Sequence, residues 1–409
     1  MKKIGGGKMG ILVHKYGGTS VGSIEKMKAI AKRVISQKEK GYDMVVVVSA
    51  MGKTTDYLVE MSKEMTPDPN KRDLDMILST GEQVSIALLS MAFKELGHDA
   101  ISLTGLQAGI MTQGPHTKNK IIDIQVDRIR SYLEQGKIVV VAGFQGVNDH
   151  GDITTLGRGG SDTTAVALAA KLNCPCHIYT DVDGIYSVDP RVYPEAKKIE
   201  TISYEEMMEM ASLGAGVMET RAIEIGCKYK VPIYVSSSVN RVTGTYIKEY
   251  DEQMEEKMIT GLSISDDVLM ITVSNIEFNL ENVAVIFERL AEENVNVDMI
   301  SQTAPLNGKV NLSFTVSKDD LNVIKKIMDH LCSNHHEIEV TIEENITKVS
   351  VVGIGMMNQS GVTGRLFRIL ANHNIAFRQV TTSEISISYT IDVKDRERTV
   401  RVLAKELGL

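Results

Sequence analysis

Only four cysteines occur in the 409-residue chain, so no disulfide scaffold supports it. Cys174-Pro175-Cys176 has a single intervening residue and no second pair to complete a zinc set, so small buried side chains are expected there. The nine histidines form no HExxH pattern, and His335-His336 falls in a polar stretch. No apolar run approaches the ~20 residues needed to cross a bilayer. Nor is there a basic excess. Against 53 Asp and Glu stand 45 Lys and Arg, and the resulting net charge of −8 argues against general nucleic-acid or membrane-surface binding. The opening Met1-Lys2-Lys3-Ile4-Gly5-Gly6-Gly7-Lys8 lacks the apolar centre of a signal peptide. Residues 1–10 read as a disordered leader, and the cytoplasm is the expected compartment.

What is present describes a globular chain, with 43% apolar and 24% charged residues and length for two to three domains. Over residues 11–250, short β-branched runs alternate with amphipathic stretches. Ile11-Leu12-Val13, Met44 to Val48, Ile138 to Val141, Ile178-Tyr179 and Ile233-Tyr234-Val235 read as buried strands. Ser23 to Lys38, Asp75 to Leu96, Asp123 to Gln135 and Asp162 to Lys171 read as helices. This alternation predicts a three-layer α/β domain on a mostly parallel central sheet.

A charged linker follows at residues 251–260, and then the pattern changes. Two segments of about 65 residues superpose at an offset of 80: Phe287, Leu290, Ala291 and Asn294 meet Phe367, Leu370, Ala371 and Asn374. They predict two ferredoxin-like βαββαβ domains, at 261–345 and 346–409. With few catalytic clusters, these repeats are suited to ligand sensing or subunit pairing.

Chemistry concentrates at strand ends. Lys15-Tyr16-Gly17-Gly18-Thr19-Ser20 links a strand to a helix, where glycines admit an anion to the backbone and a helix N-terminus offers free N–H groups. It is not a Walker A sequence, and alone it could be an ordinary tight junction. Similar glycine-bearing polar turns are Ser49 to Thr55, Gly157 to Thr164 and Thr180 to Gly184. Open α/β sheets bind ligands at the carboxyl ends of their strands, so the joint occurrence favours an anion-rich site. Arg158 can grip a carboxylate with two parallel hydrogen bonds. Glu82 is either an acceptor for an ammonium group or a first-turn residue favoured by the helix dipole.

Lys15 to Ser20, Ser79-Thr80-Gly81-Glu82-Gln83, Gly157 to Thr164 and Asp181 to Arg191, followed by two ACT-like repeats, together resemble the aspartokinases of the amino acid kinase superfamily. The resemblance runs from about Ile11 to Leu409. It implies transfer of the ATP γ-phosphoryl group, with Mg²⁺, to the β-carboxylate of L-aspartate, the entry step to lysine, threonine and methionine. It assigns Lys15 and Asp162 to catalysis, and Lys15, Tyr16, Gly17, Gly18, Thr180, Asp181, Tyr186 and Arg191 to ATP. Ser49, Thr55, Glu82, Arg158, Gly160 and Ser161 would frame aspartate, and Mg²⁺ would be held mainly by ATP phosphates. Some aspartokinases carry a lysine in the segment matching Leu213 to Val217; here Gly216 stands there, with Lys230 a candidate substitute.

The paired repeats imply feedback inhibition by lysine, alone or jointly with threonine. Effector residues would be Asn279, Asp298, Ile300, Gln302, Gln359, Asn374, Thr381, Ser383 and Glu384, although a helix-end cap is an equal alternative for Asn374. The family arrangement can place Gly261 to Ser265 in the second repeat. A homodimer or dimer of dimers joined through the ACT domains is expected. The rivals are a kinase for another acceptor (glutamate, N-acetylglutamate or UMP) and a non-catalytic amino-acid sensor.

Overall fold

The computed structural model describes residues 9–240, 242–250, 258–334, 337–357 and 361–409. Most of the expected leader and linker, and Gln359, lie outside the described residues. The chain divides into two compact units. Met1–Ile185, Lys198–Ala211 and Gly216–Met254 form the first; Tyr186–Lys197, Ser212–Ala215 and Glu255–Leu409 form the second.

In the first unit the order is β1 (Gly10–Tyr16), α1 (Ile24–Glu39), β2 (Tyr42–Val48), α2 (Thr54–Met65), α3 (Lys71–Glu95), β3 (Ala100–Leu103), β4 (Ile110–Gln113) and β5 (Lys120–Ile124). Then come α4 (Asp127–Glu134), β6 (Ile138–Ala142), β7 (Gln145–Val147), β8 (Ile153–Thr155), α5 (Gly160–Leu172) and β9 (Cys176–Thr180). The unit closes with β10 (Thr201–Ser203), α6 (Tyr204–Ser212), α7 (Thr220–Tyr229), β11 (Ile233–Ser237) and β12 (Thr245–Lys248).

The five strands expected from the sequence are consecutive in an eight-stranded sheet of order β10-β12-β11-β9-β1-β2-β6-β3. All its pairings are parallel except β11 with β12. Continuous burial of Met44 to Val48 and Ile138 to Ala142 explains the unbroken apolar runs, because both faces are covered. Leu12, Tyr16, Met44, Val46, Val48, Ile138 and Val140 pack with α1 and α3. The opposite face carries α5 against β1 and β2. Strand periodicity therefore sends Lys15 and Tyr16 to opposite sides of the sheet.

Three expectations change. Asp123 lies in β5, paired with β4 in a second small sheet of order β5-β4-β7-β8, so the helix expected from Asp123 starts only at Asp127. The helix expected from Asp75 starts at Lys71, capped by Asn70, whose side chain accepts from the Arg72 and Asp73 N–H groups. That 25-residue helix is also long and apolar enough to cross a membrane by length and composition, contrary to the expected absence of such a run. Half of the relevant window is buried, and Asp75, Ser79, Glu82 and Ser85 lie on its buried face, as in a core helix.

The second unit holds β13 (Gly261–Ser265), β14 (Leu269–Glu277), α8 (Leu280–Glu292), β15 (Ile300–Gln302), β16 (Lys309–Val316), α9 (Leu321–Asn334) and β17 (Glu339–Glu343). It continues with β18 (Ile346–Val352), α10 (Val362–Asn372), β19 (Phe377–Thr382), β20 (Ser386–Asp392) and α11 (Arg396–Leu407). Two four-stranded sheets form, β15-β16-β14-β17 and β13-β18-β20-β19. β13 pairs antiparallel with β18, so the second repeat takes its fourth strand from before the first. The offset of 80 does not persist: β16 starts at Lys309 and β20 at Ser386, a difference of 77, because the hairpin loop of the first repeat is three residues longer. Val188 and Val192, from the excursion Tyr186–Lys197, are buried in the core of the second repeat with Leu262 and Val349.

Candidate active site

Because Lys15 points to the α5 side, it reaches the first turn of that helix. Its Nζ lies 2.6 Å from Asp162 Oδ1, with both side chains almost fully buried. The turn into α5 is made by Gly159 at φ +60°, where an added Cβ would come within 2.4 Å of the Glu219 side chain. The α5 N-terminus thereby faces a cavity of about 650 Å³. Lys15, Ser49, Thr55, Glu82, Arg158, Gly160, Ser161 and Asp162 all line it, from the carboxyl ends of β1 and β2, from α2 and α3, and from the turn after β8. Every residue assigned to aspartate by the resemblance, and both assigned to catalysis, thus opens onto one space.

Glu82 is in the middle of α3, not in a first turn, so the dipole alternative for it is overturned. Gly81 beside it lets the helix approach so closely that an added Cβ would lie 2.7 Å from Ala50 Cβ. This proximity allows Glu82 Oε1 to accept the Ala50 N–H at 2.9 Å. Oε2 is buried with no hydrogen-bond partner, and burial pushes the carboxyl up to about 7 against the opposing Ala50 N–H bond. An incoming ammonium would complete this group. Arg158, exposed, makes no hydrogen bond or ion pair of its own among the described residues. Ser49 Oγ donates to Ser161 Oγ at 3.0 Å between these two anchors.

The residues assigned to ATP divide. The Tyr16 side chain is fully buried, its ring stacked on Tyr179 at 4.9 Å, so only its backbone can meet a ligand. The Gly17 N–H, expected as a free donor, is taken by Tyr179 O at 3.3 Å, which closes β9 onto β1. The N–H groups of Gly18 and Thr19 have no partner among the described residues. A Cβ at Gly18 would stand 2.9 Å from Ala50 O, so glycine is required for the turn. Thr180 Oγ1 donates to Asp181 Oδ1 at 3.0 Å at the end of β9. Tyr186 and Arg191 belong to the second unit, where Arg191 is bidentate on Asp189. Lys230 cannot replace a lysine at Gly216: it caps the C-terminal end of α7, before β11 begins and at the wrong edge of the sheet, and pairs with Glu249 at 2.8 Å.

Sequence reasoning missed a group behind the cavity wall. Asp75 is fully buried and receives His116 Nδ1 at 2.6 Å, Thr155 Oγ1 at 2.5 Å and the Thr117 N–H at 3.1 Å. Arg221 donates to Asn119 O and Leu156 O, both at 3.1 Å. The one available signal was the spacing of Asp75, Ser79 and Glu82, which puts three polar residues on one helix face. Glu219, missed as well, has its carboxyl raised by burial, with Arg221 opposing, Asp162 adding and Arg158 opposing. Among the described residues no group of three or more His, Cys, Asp or Glu is arranged for a metal.

The effector assignments fall in the second unit. Asn279 is the N-cap of α8 and accepts the Glu281 N–H, while Asn374, at φ +50°, ends α10 as a left-handed residue; both have a local helix-end role. Asp298 pairs with the buried Lys348. Ile300 and Gln302 lie exposed on the edge strand β15. Thr381 is on β19, and Ser383 and Glu384 form the turn to β20, with Ser383 Oγ 2.9 Å from Ser386 Oγ.

Lys15 and the α5 N-terminus thus meet at the switch point between β9, β1 and β2, where an open α/β sheet binds an anionic ligand. The profile of the amino acid kinase family matches residues 10–237, and an ACT domain profile matches 349–407. An aspartokinase of Geobacillus stearothermophilus is 48% identical over 402 residues, 98% of each chain. E. coli aspartokinase III shares the fold at 24% identity. Its R-state complex with aspartate and ADP gives a TM-score of 0.81 over 98% of this chain and 100% of that one. Its T-state complex with lysine and aspartate gives 0.77 over 97% and 99%. The chain belongs to the aspartokinase family.

Proposed function

We propose that the protein transfers the γ-phosphoryl group of ATP to the β-carboxylate of L-aspartate, forming 4-phospho-L-aspartate. The observation that carries this is the sharing of one cavity by Lys15, Glu82 and Arg158. Arg158 takes the α-carboxylate and the free Glu82 Oε2 takes the ammonium, so the β-carboxylate is directed at Lys15. A carboxylate with an ordinary pKa near ~4 is ionised at neutral pH and needs no general base. The barrier is the approach of one anion to another. Lys15, fixed by Asp162, and the N–H groups of Gly18 and Thr19 would hold the phosphates and neutralise charge on the transferring group. Thr180 and Asp181 are kept on the nucleotide side, and Mg²⁺, carried by the phosphates, would add charge neutralisation. Trapping the acyl phosphate with hydroxylamine tests the reading. Coloured hydroxamate should appear with aspartate and not with glutamate; silence with every acceptor favours the sensor.

The paired ACT repeats support amino-acid feedback. Lysine, alone or jointly with threonine, is the effector on this reading, acting by shifting populations of subunit arrangements in a homodimer or dimer of dimers built through those repeats. Titration with each amino acid singly and together checks it: lysine should inhibit, and no response to either refutes the regulatory part alone. The cytoplasm suits a soluble biosynthetic kinase of this kind.

A further inference from the structure

Arg158 makes no hydrogen bond or ion pair of its own among the described residues, so its aim depends on the backbone that carries it. That backbone is held from two sides. On one side, the Asp75 carboxylate can only accept, which fixes the proton of His116 on Nδ1. It ties together Thr155, at the end of β8, and His116-Thr117 in the loop before β5. Thr117 has φ +69°, a left-handed conformation that is strained for a β-branched residue and persists only where its surroundings impose it. The imposed turn brings Thr117 O to 3.2 Å from the place a Cβ at Gly157 would occupy. On the other side, half-buried Arg221 of α7 bridges Asn119 O and Leu156 O, while the Asn119 N–H donates to Thr155 O at 3.0 Å. The two pins clamp the segment Thr155-Leu156-Gly157 immediately before Arg158. Thr117, Thr155 and Gly157 themselves form part of the cavity wall.

We propose that Asp75, His116 and Arg221 are positioning residues that aim Arg158 at the acceptor's α-carboxylate. This rests on the reading of Arg158 as the acceptor clamp. Each side chain acts through the loop it holds, without touching the acceptor.

The test is steady-state kinetics on the full-length protein, with aspartate varied at saturating ATP, for Asp75→Asn, His116→Ala and His116→Asn, each alone and combined with Arg158→Ala. Asp75→Asn and His116→Ala should raise the aspartate KM about tenfold with kcat changed less than about threefold. His116→Asn, which keeps a donor near the Nδ1 position, should recover most of the loss. In the Arg158→Ala background the same substitutions should add little, since the residue they aim is gone. An unchanged KM in both Asp75→Asn and His116→Ala overturns the proposal, as do effects that multiply fully with Arg158→Ala. If Arg158→Ala alone leaves the KM unchanged, the acceptor-clamp reading itself has failed. Should Asp75→Asn not fold, partly exposed His116 carries the test.

Discussion

Glu82→Gln is the perturbation whose size can be worked out furthest. Burial raises the Glu82 carboxyl from the ordinary 4.5 to about 7. In the unfolded chain the group ionises near 4.5, so its contribution to stability is fully present below that pH and is lost as pH rises through about 7. The difference of about 2.5 pH units corresponds to about 3 kcal/mol of destabilisation in the ligand-free protein at alkaline pH. Bound ammonium reverses the preference, since only ionised Glu82 completes the ion pair. The affinity for aspartate should therefore fall as pH drops below about 7, approaching tenfold per unit. The profile of kcat/KM for aspartate reports this as an acid limb with an apparent pKa near 7. Glu82→Gln should abolish that limb, lower kcat/KM at pH 8, and flatten the loss of ligand-free stability between pH 5 and 8. An acid limb near 7 that survives in Glu82→Gln refutes the reasoning. So does a wild-type limb near 4.5.

Other consequences can be measured independently. Burial lowers His177 to about 4 and His14 well below its ordinary value, and their rings stack at 5.4 Å. Stability from this pair is present above about 6.5 and lost as pH falls through 4; for His177 about 2 kcal/mol goes between pH 7 and 5, so urea melts at those two values should show the loss, and His177→Leu should reduce it. Asp298→Ala leaves the ammonium of Lys348, which is 4% exposed, without its partner. It should lower Tm more than Lys348→Met does, and the opposite ranking would show that the pair contributes through packing alone. Arg158→Ala should weaken aspartate, raising its KM at least tenfold with a smaller change in kcat, as a lost charge-assisted bidentate contact requires.

The central sheet was legible because its strands are buried on both faces and so appear as uninterrupted Val and Ile runs. The short strands β4, β5, β7 and β8 were not, since half-exposed Lys120–Ile124 has no such run and β4 meets β7 only through the pairing of Met111 with Val147. Glu82 opens onto the cavity with the other residues assigned to aspartate but lies in the middle of its helix rather than in a first turn. Gly81 within α3 serves the close approach of that helix to Ala50. The Lys15 and Arg158 motifs are local in sequence and could be seen. Tyr16 misled because motif membership does not reveal which face of a strand a side chain takes. Asp75, His116 and Arg221 act between segments 41 to 102 residues apart, a proximity that only the folded chain supplies. The same holds for the excursion of Tyr186–Lys197 into the second unit.

The most direct measurement of the central claim is the kinetics of Lys15→Ala with aspartate and ATP each varied. Removing the buried ammonium beside Asp162 should cut kcat by about a hundredfold or more, while the aspartate KM moves less than about threefold. A variant that keeps its kcat and loses only aspartate affinity would contradict the claim that Lys15 neutralises charge on the phosphoryl group in flight.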